Sequence, residues 1–286
     1  MIQLHDVRYV RLGTRDLSTA TDFATRIVGL ELVRREHDCV YFRSDNRDHT
    51  LCYFEGDPHD HTLAFDVADA DQLDNAAGML DASGVAFRSG TPEECERRRV
   101  QAFIVFKDLT GNQIELVWRA HASGRRYFPS RDAGITGFNH VGLCSTDPAR
   151  DEAFWTQTFN ARVSDWIGAS PLLRINPIHH QIALFPTTRS GVQHINHQVE
   201  SIDDIMRSWY FLQEQGVKVV FGPGRHPTSG ARFLYFEGPE GMIYEYSCGV
   251  SAIEDEANHR PRQFPAEPSG FCMWGSKPDI AEFKSD

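Results

Sequence analysis

The sequence predicts an α+β protein of two tandem domains, each built from paired β-α-β-β-β modules that form a half-open barrel. Two observations support this fold class. The same order of predicted elements occurs in residues 5–120 and again in residues 134–250, and the segment 120–133 between the copies is rich in Arg, Ser and Gly. We therefore expect one domain over residues 1–130 and a second over residues 131–286, with a tail outside the repeat.

The first element of each copy is a strand that leads into a helix. Residues 7–12 precede a helical pattern from Asp16, and residues 138–143 precede one from Asp147. The carboxylate of Asp147 can cap the free amides of the first helical turn, and Pro148 suits that turn because its missing N–H costs nothing there. Both features predict a helix start.

The remaining elements complete a second module in each copy. The strands at residues 62–67 and 194–199 each lead into a helix. Two further strands, joined by a turn that contains glycine, follow at residues 106–115 and 236–245. The order β-α-β-β-β therefore occurs twice per copy.

Composition excludes several classes of protein. With 286 residues, 41% of them hydrophobic, the chain is long enough for two globular domains. A formal charge of -11 offers no basic surface for nucleic acid or for an anionic membrane. We expect a cytoplasmic protein, because neither a signal peptide nor a long apolar run is present. The six cysteines lack C-x-x-C spacing, which favours reduced thiols.

Aligning the two copies separates the half that can bind a metal from the half that cannot. Three aligned columns differ between the copies. They hold His140, His194 and Glu245 in the second copy and Tyr9, Thr62 and Glu115 in the first. Only the second copy can form a site with two histidines, so we interpret the first as metal-free, with its acidic residue facing a buried polar cluster.

Two imidazoles and one carboxylate are the ligand set of the facial triad, which leaves open positions on Fe(II) for a chelating substrate and O2. Mn(II) can use the same ligands. The candidates lie on three separate predicted strands, where alternation places His140 on the same face as Gly142. If the strands curl into a half-barrel, the three side chains can converge.

The other histidines are expected to be structural or solvent-exposed. His197 lies three residues beyond His194, so it should point to the opposite face of the sheet. No pattern distinguishes a further set, which we expect to be solvated: His5, His37, His49, His59, His61, His121 and His259.

Residues 226–245 follow a distinctive order. They contain His226, an aliphatic–tyrosine pair ending at Tyr235, a proline-x-glycine turn at Pro239 and the terminal Glu245. With the ligand columns, this segment resembles the type I extradiol ring-cleavage dioxygenases of the vicinal oxygen chelate superfamily, and the resemblance covers essentially the whole chain. Gly238 departs from the acidic or amide residue that is usual in the family, which weakens the match in the turn more than the chemistry.

The resemblance implies an enzyme that cleaves the ring of a catechol with O2 at a mononuclear Fe(II) centre. His140 and His194 would be the iron-binding histidines and Glu245 the carboxylate ligand. A homo-oligomer is the expected assembly. The catechol's substituents and the side of the diol that is cleaved stay open.

The resemblance also implies roles for residues that do not bind metal. His180 would be the acid–base histidine beside bound oxygen, with its neighbour His179 the less favoured candidate, while His226 and Tyr235 would hydrogen-bond the substrate's oxygen.

Three residues are predicted to shape the substrate pocket. The resemblance places Leu172 and Thr228 near the ring, and strand alternation points Gly142 toward the substrate. Because glycine adds no side-chain volume, we expect the pocket to accept a substituted or bicyclic catechol.

Alternatives remain on the same scaffold. They are an isomerase or thiol transferase of the glyoxalase or fosfomycin-resistance type, an oxygenase of 2-oxo acids, and a ligand-sequestering protein without turnover. The apolar tail segment 271–274 could close over the barrel mouth, or it could be a packing strap or a subunit contact.

Overall fold

A computed structural model describes residues 1–36 and 38–283. It confirms the predicted α+β fold of two tandem domains, with one mixed sheet in each half. Among the described residues, no helix has the length and apolar character needed to cross a membrane. All six cysteines are free in this structure.

The described part of the first half contains eight strands and three α-helices. They are β1 (Asp6–Thr14), α1 (Leu17–Asp22), β2 (Glu31–Arg35), β3 (Cys39–Arg43), β4 (Leu51–Glu55), β5 (His61–Val67), α2 (Ala70–Ala82), β6 (Phe87–Ser89), α3 (Pro92–Arg98), β7 (Ala102–Lys107) and β8 (Gln113–Trp118). A π-helical turn (Phe23–Val28) continues α1, and α3 is an addition to the predicted module.

Among the described residues, the second half repeats this order without a counterpart of α3 and adds a tail. Its elements are β9 (Ile135–Ser145), α4 (Pro148–Thr158), β10 (Arg162–Ile167), β11 (Ser170–Arg174), β12 (Ile182–Pro186), β13 (Val192–Val199), α5 (Ile202–Glu214), β14 (Val219–Arg225), β15 (Arg232–Glu237), β16 (Ile243–Cys248), β17 (Arg262–Phe264) and α6 (Pro268–Phe271). Two 3-10 turns, Pro239–Gly241 and Ala281–Phe283, complete it. As predicted, the side chain of Asp147 caps α4 by accepting from the backbone N–H of Arg150.

Both sheets have the same central arrangement. The strand orders are β2-β3-β4-β1-β5-β8-β7-β6 and β14-β15-β16-β13-β9-β12-β11-β10-β17. In each half the first strands of the two modules pair antiparallel, β1 with β5 and β9 with β13. The second strand of each pair also has a parallel neighbour: β5 pairs with β8, and β13 pairs with β16. The duplication is therefore present in the structure as well as in the sequence.

The two halves share one buried hydrophobic core, and polar contacts also join them. The hydroxyl groups of Tyr53 and Tyr244 are hydrogen-bonded across the interface. The side chain of Asn112 donates to the carbonyl of Cys144 at 2.9 Å and accepts from the N–H of Gly191 at 2.6 Å. No strand or helix lies between Trp118 and Ile135. The boundary at residue 130 stays a prediction, as does the homo-oligomer.

Several histidines expected to be solvated are not. His49 is buried between the rings of Tyr9 and Tyr41. His61 accepts a hydrogen bond from the backbone N–H of Val192 at 2.9 Å, so it links the two halves. His259 is also partly covered, whereas His5, His59 and His121 are exposed and His37 lies outside the described residues. Sequence pattern missed these contacts because they depend on tertiary neighbours.

Candidate metal centre

Three adjacent central strands of the second sheet bring the predicted ligands together. His140 lies on β9, His194 on β13 and Glu245 on β16, and all three are buried. The Nε2 atoms of the two histidines are 3.1 Å apart, and the Oε2 atom of Glu245 lies 3.0 Å from Nε2 of His140 and 3.5 Å from Nε2 of His194. Within the described residues, this is the only cluster of three such side chains able to hold a metal ion.

The donor set fits a divalent cation. Both carboxylate oxygens of Glu245 are buried and make no hydrogen bond of good geometry to a described residue, although imidazole nitrogens lie close by. A buried carboxylate without hydrogen bonds is costly unless a cation neutralises it. Burial alone would raise the pKa of the Glu245 carboxyl, but His140, His226 and His194 lower it well below its usual range. Burial lowers the pKa of His194 to about 3, so its ring is neutral, as a metal ligand must be.

Each histidine ligand is oriented by the residue that precedes it. The Nδ1 atom of His194 lies 2.5 Å from Oε1 of Gln193, which can only accept, so Nδ1 carries the hydrogen and Nε2 is free to bind metal. The Nδ1 atom of His140 lies 3.4 Å from the side-chain amide nitrogen of Asn139, which can only donate, so this longer contact supports the ring without placing a hydrogen on Nδ1. Sequence reasoning missed both partners, although each stands directly before a predicted ligand.

The prediction that Gly142 opens the substrate pocket is wrong. Gly142 is the cross-strand partner of His194, and a Cβ atom at this glycine would lie 2.4 Å from Nδ1 of that histidine. The missing side chain therefore makes room for the ring of a predicted metal ligand and for the side chain of Gln193, 3.0 Å away. Strand alternation correctly predicted the face of the sheet on which Gly142 lies. It could not show that the ring of His194 fills the space next to this glycine.

The predicted acid–base and substrate-contacting residues lie beside the ligand cluster. The ring of His180 lies 4.3 Å from that of His140, measured between centroids. The hydroxyl of Tyr235 lies 3.2 Å from Nε2 of His226, and the ring of Tyr235 is 5.3 Å from that of His194. Burial, with a smaller contribution from Glu245, raises the pKa of Tyr235 well above its usual value, so the hydroxyl keeps its proton.

A small cavity lies against the cluster. Its lining residues are Ile167, Leu172, His180, Ala183, Phe185, His194, His226, Thr228, Tyr235, Phe271 and Phe283. This set includes Leu172 and Thr228, which were predicted to line the pocket, but not Gly142. Two larger cavities lie elsewhere, along the boundary between the halves, and neither contains the predicted ligand cluster.

The tail supplies part of the pocket wall. Phe271 and Phe283 are buried beside the cavity, and the ring of Phe283 packs 5.8 Å from that of Tyr235. The carbonyl of Phe271 lies 2.8 Å from Nδ1 of His226 and can only accept, so this atom carries the hydrogen. Met273 and Trp274 are exposed, so only the first half of the apolar tail segment covers the cavity.

The equivalent columns of the first half are used differently. Glu115 accepts from the hydroxyl of Tyr9 at 2.6 Å and from Nη2 of Arg98 at 2.7 Å, and all three residues are buried. Thr62 accepts from the side chain of Gln113 at 2.7 Å. This confirms that the acidic residue of the first copy faces a buried polar cluster.

Sequence comparison assigns the chain to a family. The profile of the Glyoxalase/Bleomycin resistance protein/Dioxygenase superfamily matches residues 6–116 and 137–246, and the chain belongs to this superfamily. An iron-dependent extradiol dioxygenase of Rhodococcus jostii (strain RHA1) is 28% identical over 96% of this chain and 97% of its own. A biphenyl-2,3-diol 1,2-dioxygenase of Pseudomonas sp. (strain KKS102) is 26% identical over 94% and 96%. The structure of BphC, a halotolerant catechol dioxygenase, superimposes with a TM-score of 0.89 at 22% identity, over 99% of this chain and 98% of its own.

Proposed function

We propose that this protein is an extradiol dioxygenase that cleaves the ring of an apolar-substituted catechol with O2 at one Fe(II) ion per chain. The observation that carries the proposal is the buried cluster of His140, His194 and Glu245, whose carboxylate oxygens have no hydrogen-bond partner among the described residues. The full-length similarity to curated extradiol dioxygenases supports the same activity.

His140, His194 and Glu245 would hold the metal, which when bound supplies a site where catechol and O2 meet and through which electrons can pass between them. Fe(II) is favoured by the similarity to an iron-dependent relative, and Mn(II) accepts the same ligands. Gln193 keeps the Nδ1 hydrogen on His194, so the protein presents the correct nitrogen without rearrangement.

His180 would move the protons of the reaction. A catechol must lose protons before both of its oxygens can bind a metal, and neutral histidine is the side chain best suited to accept a proton near pH 7. His180 lines the cavity next to the ring of His140, within reach of a substrate oxygen bound there. The same ring can return the proton to an oxygen atom later in the reaction.

Tyr235 and His226 would orient the substrate. The Nδ1 hydrogen of His226 is held by the carbonyl of Phe271, so its Nε2 can accept from the hydroxyl of Tyr235. The oxygen of Tyr235 can then accept a hydrogen bond from a substrate hydroxyl. Phe271 and Phe283 line the same cavity with apolar rings, and a less polar environment strengthens such hydrogen bonds.

The cavity wall indicates the substrate class. None of the lining residues is Lys, Arg, Asp or Glu, and apolar side chains such as Ile167, Leu172 and Phe185 form much of the surface. A carboxylate substituent on the catechol would be buried here without a cationic partner, which is costly. A methyl, alkyl or aryl substituent would instead gain from apolar burial.

The proposal is tested by loading the metal-free chain anaerobically with Fe(II) or Mn(II), then adding air-saturated buffer with different catechols. We expect O2 uptake and a ring-opened product with catechol, 3-methylcatechol and 2,3-dihydroxybiphenyl, and little with 3,4-dihydroxyphenylacetate. The His180→Gln protein is the matched control, because it should keep the metal and lose most turnover. Full metal loading without O2 uptake for any catechol would contradict the proposal, and turnover of the glutathione–methylglyoxal adduct would favour a glyoxalase-like isomerase.

A further inference from the structure

A chain of buried hydrogen bonds runs from the cavity to the tail. The Nδ1 atom of His180 lies 3.1 Å from Nδ1 of His179, whose Nε2 lies 3.0 Å from Oδ2 of Asp165. The carboxylate of Asp165 also accepts from Arg262 of β17, at 2.6 Å from Nη2 and at 2.7 Å from the backbone N–H. His179, His180 and Asp165 are all buried, so water cannot easily replace these contacts.

The chemistry of this chain determines which atoms carry hydrogens. Burial would raise the pKa of Asp165, but hydrogen bonds from His179 and Arg262 lower it, so the carboxylate is ionised at neutral pH and can only accept. His179 must therefore donate from Nε2. Burial lowers the pKa of His179 although Asp165 opposes the effect, so the ring is neutral and its Nδ1 carries no hydrogen.

This arrangement fixes the tautomer of His180. Since Nδ1 of His179 can only accept, the contact of 3.1 Å requires His180 to donate from its own Nδ1. A neutral His180 with its hydrogen on Nδ1 has a bare Nε2. His180 lines the cavity, and its Nε2 makes no hydrogen bond to a described residue, so the lone pair is available to a bound molecule.

We propose that His179 and Asp165 are positioning residues that hold His180 in the tautomer whose Nε2 is ready to take a proton from the bound substrate. Arg262 belongs to this group because it anchors the carboxylate of Asp165 with three N–H donors. The inference rests on the proposed function, because it concerns how His180 carries out that role. It also gives the tail a part in the chemistry, since β17 supplies the arginine.

The test uses two amide substitutions at His179 that differ in reach. An asparagine amide occupies about the position of Nδ1, so its oxygen can still accept from His180, whereas a glutamine amide extends toward Nε2 and meets Asp165 instead. We expect His179→Gln to lower kcat about ten- to hundredfold, the range typical of groups that orient a functional histidine. Its KM for catechol and its metal content should stay close to those of the wild type. His179→Asn should recover most of the lost kcat.

A second readout does not depend on turnover. Nitrogen NMR of the metal-free chain with labelled histidine distinguishes the two tautomers, and His180→Gln assigns the signal by its loss. We expect His180 protonated at Nδ1 in the wild type and in His179→Asn, and a mixture of tautomers in His179→Gln. Protonation of His180 at Nε2 in the wild type, or equal losses of kcat in both amide variants, would overturn the proposal. A metal-loaded wild type without turnover of any catechol would contradict the proposed function alone.

Discussion

Each half carries a buried glutamate at the equivalent position of the equivalent strand, but the two glutamates have different partners. Glu115 pairs with Ala64 of β5, and Glu245 pairs with Asn196 of β13, in equivalent registers. Glu115 is neutralised by the guanidinium of Arg98 and hydrogen-bonded by Tyr9. Glu245 has neither kind of partner among the described residues. The fold therefore supplies a buried carboxylate in both halves, and neighbouring side chains decide whether a protein cation neutralises it or whether it is left for the metal ion that we propose.

A second pair of positions shows how far the duplication extends. Arg11 on β1 pairs with Cys52 of β4, and Gly142 on β9 pairs with Ala183 of β12. His49 and His180 each stand three residues before these partners, so they correspond. Each packs against the equivalent side chain of its own half. The ring centroid of His49 lies 4.8 Å from that of Tyr9, and the ring centroid of His180 lies 4.3 Å from that of His140.

The largest expected effect concerns the three predicted metal ligands of the second half. Replacing His140, His194 or Glu245 with alanine should reduce both metal content and turnover to below about 1% of the wild type, because loss of a ligand should cost more than the ten- to hundredfold typical of its supporting groups. The matched control is Thr62→Ala in the first half, which should keep one metal ion per chain. Two ions per chain, measured by elemental analysis, would contradict the division of roles between the halves.

The next effect is on stability. Here we expect Glu115 to matter more than Glu245, the opposite of their expected importance for metal binding. Glu115→Gln leaves the buried guanidinium of Arg98 without its charge partner, which should lower the free energy of unfolding by about 3–5 kcal/mol. Glu245→Gln in the metal-free chain removes both the cost of burying the charge and its attraction to the nearby histidines, so we expect these effects to offset and the change to stay within about 1 kcal/mol. Urea unfolding of both metal-free variants measures the difference, and equal destabilisation would show that the two carboxylates are equivalent.

Gly142→Ala should weaken metal binding rather than change the substrate range. The added Cβ would lie 2.4 Å from Nδ1 of His194, so that ring must move. We expect metal affinity to fall about ten- to hundredfold, as when a supporting contact of a ligand is lost. Gly78→Ala in α2 is a suitable control, because a Cβ there meets no atom within 4 Å. If the variant instead kept normal metal affinity and lost activity only toward bulky catechols, Gly142 would be a determinant of pocket size.

The ligand cluster could be predicted from the sequence because duplication supplied its own comparison. Columns that hold histidine in only one copy stand out once the copies are aligned, and each ligand lies on a strand whose neighbours follow from strand order. The chain from His180 through His179 to Asp165 could not be predicted in this way. It joins β10, the segment before β12 and the tail, and the tail has no counterpart in the repeat.

Side-chain periodicity has a similar limit. It placed His197 on the opposite face from His194, and the ring does pack in the shared core, against Tyr244 and Phe138. It could not show that His49 and His61 are covered, because the covering groups come from other strands and, for His61, from the other half. Face and element follow from local pattern, whereas the identity of the neighbour requires the tertiary structure.

The smallest predicted effect concerns His61, through which the first half supports the strand that carries His194. Its Nε2 donates to the carbonyl of Pro58 at 2.7 Å, so its Nδ1 is bare and accepts from the N–H of Val192 at 2.9 Å. Burial lowers the pKa of His61 to about 4, with Arg189 adding to the effect and the Pro58 carbonyl opposing it. Protonation at Nδ1 would break the bond to Val192.

Because the pKa of folded His61 lies below its ordinary value of 6.5, its contribution to stability is present above pH 6.5 and is lost as the pH falls through 4. A tenfold change in proton affinity corresponds to about 1.4 kcal/mol, so over the interval from 6.5 to about 4 this contribution can reach about 3 kcal/mol. His61→Asn offers an oxygen near the position of Nδ1 that still accepts from Val192 but does not titrate. We therefore expect urea unfolding at pH 7 and pH 4.5 to show a smaller loss of stability in this variant than in the wild type.

His59→Asn makes the same change at an exposed histidine and should match the wild type at both pH values. If His61→Asn and the wild type lose equal stability over this range, the bond to Val192 does not couple the halves through the protonation of His61.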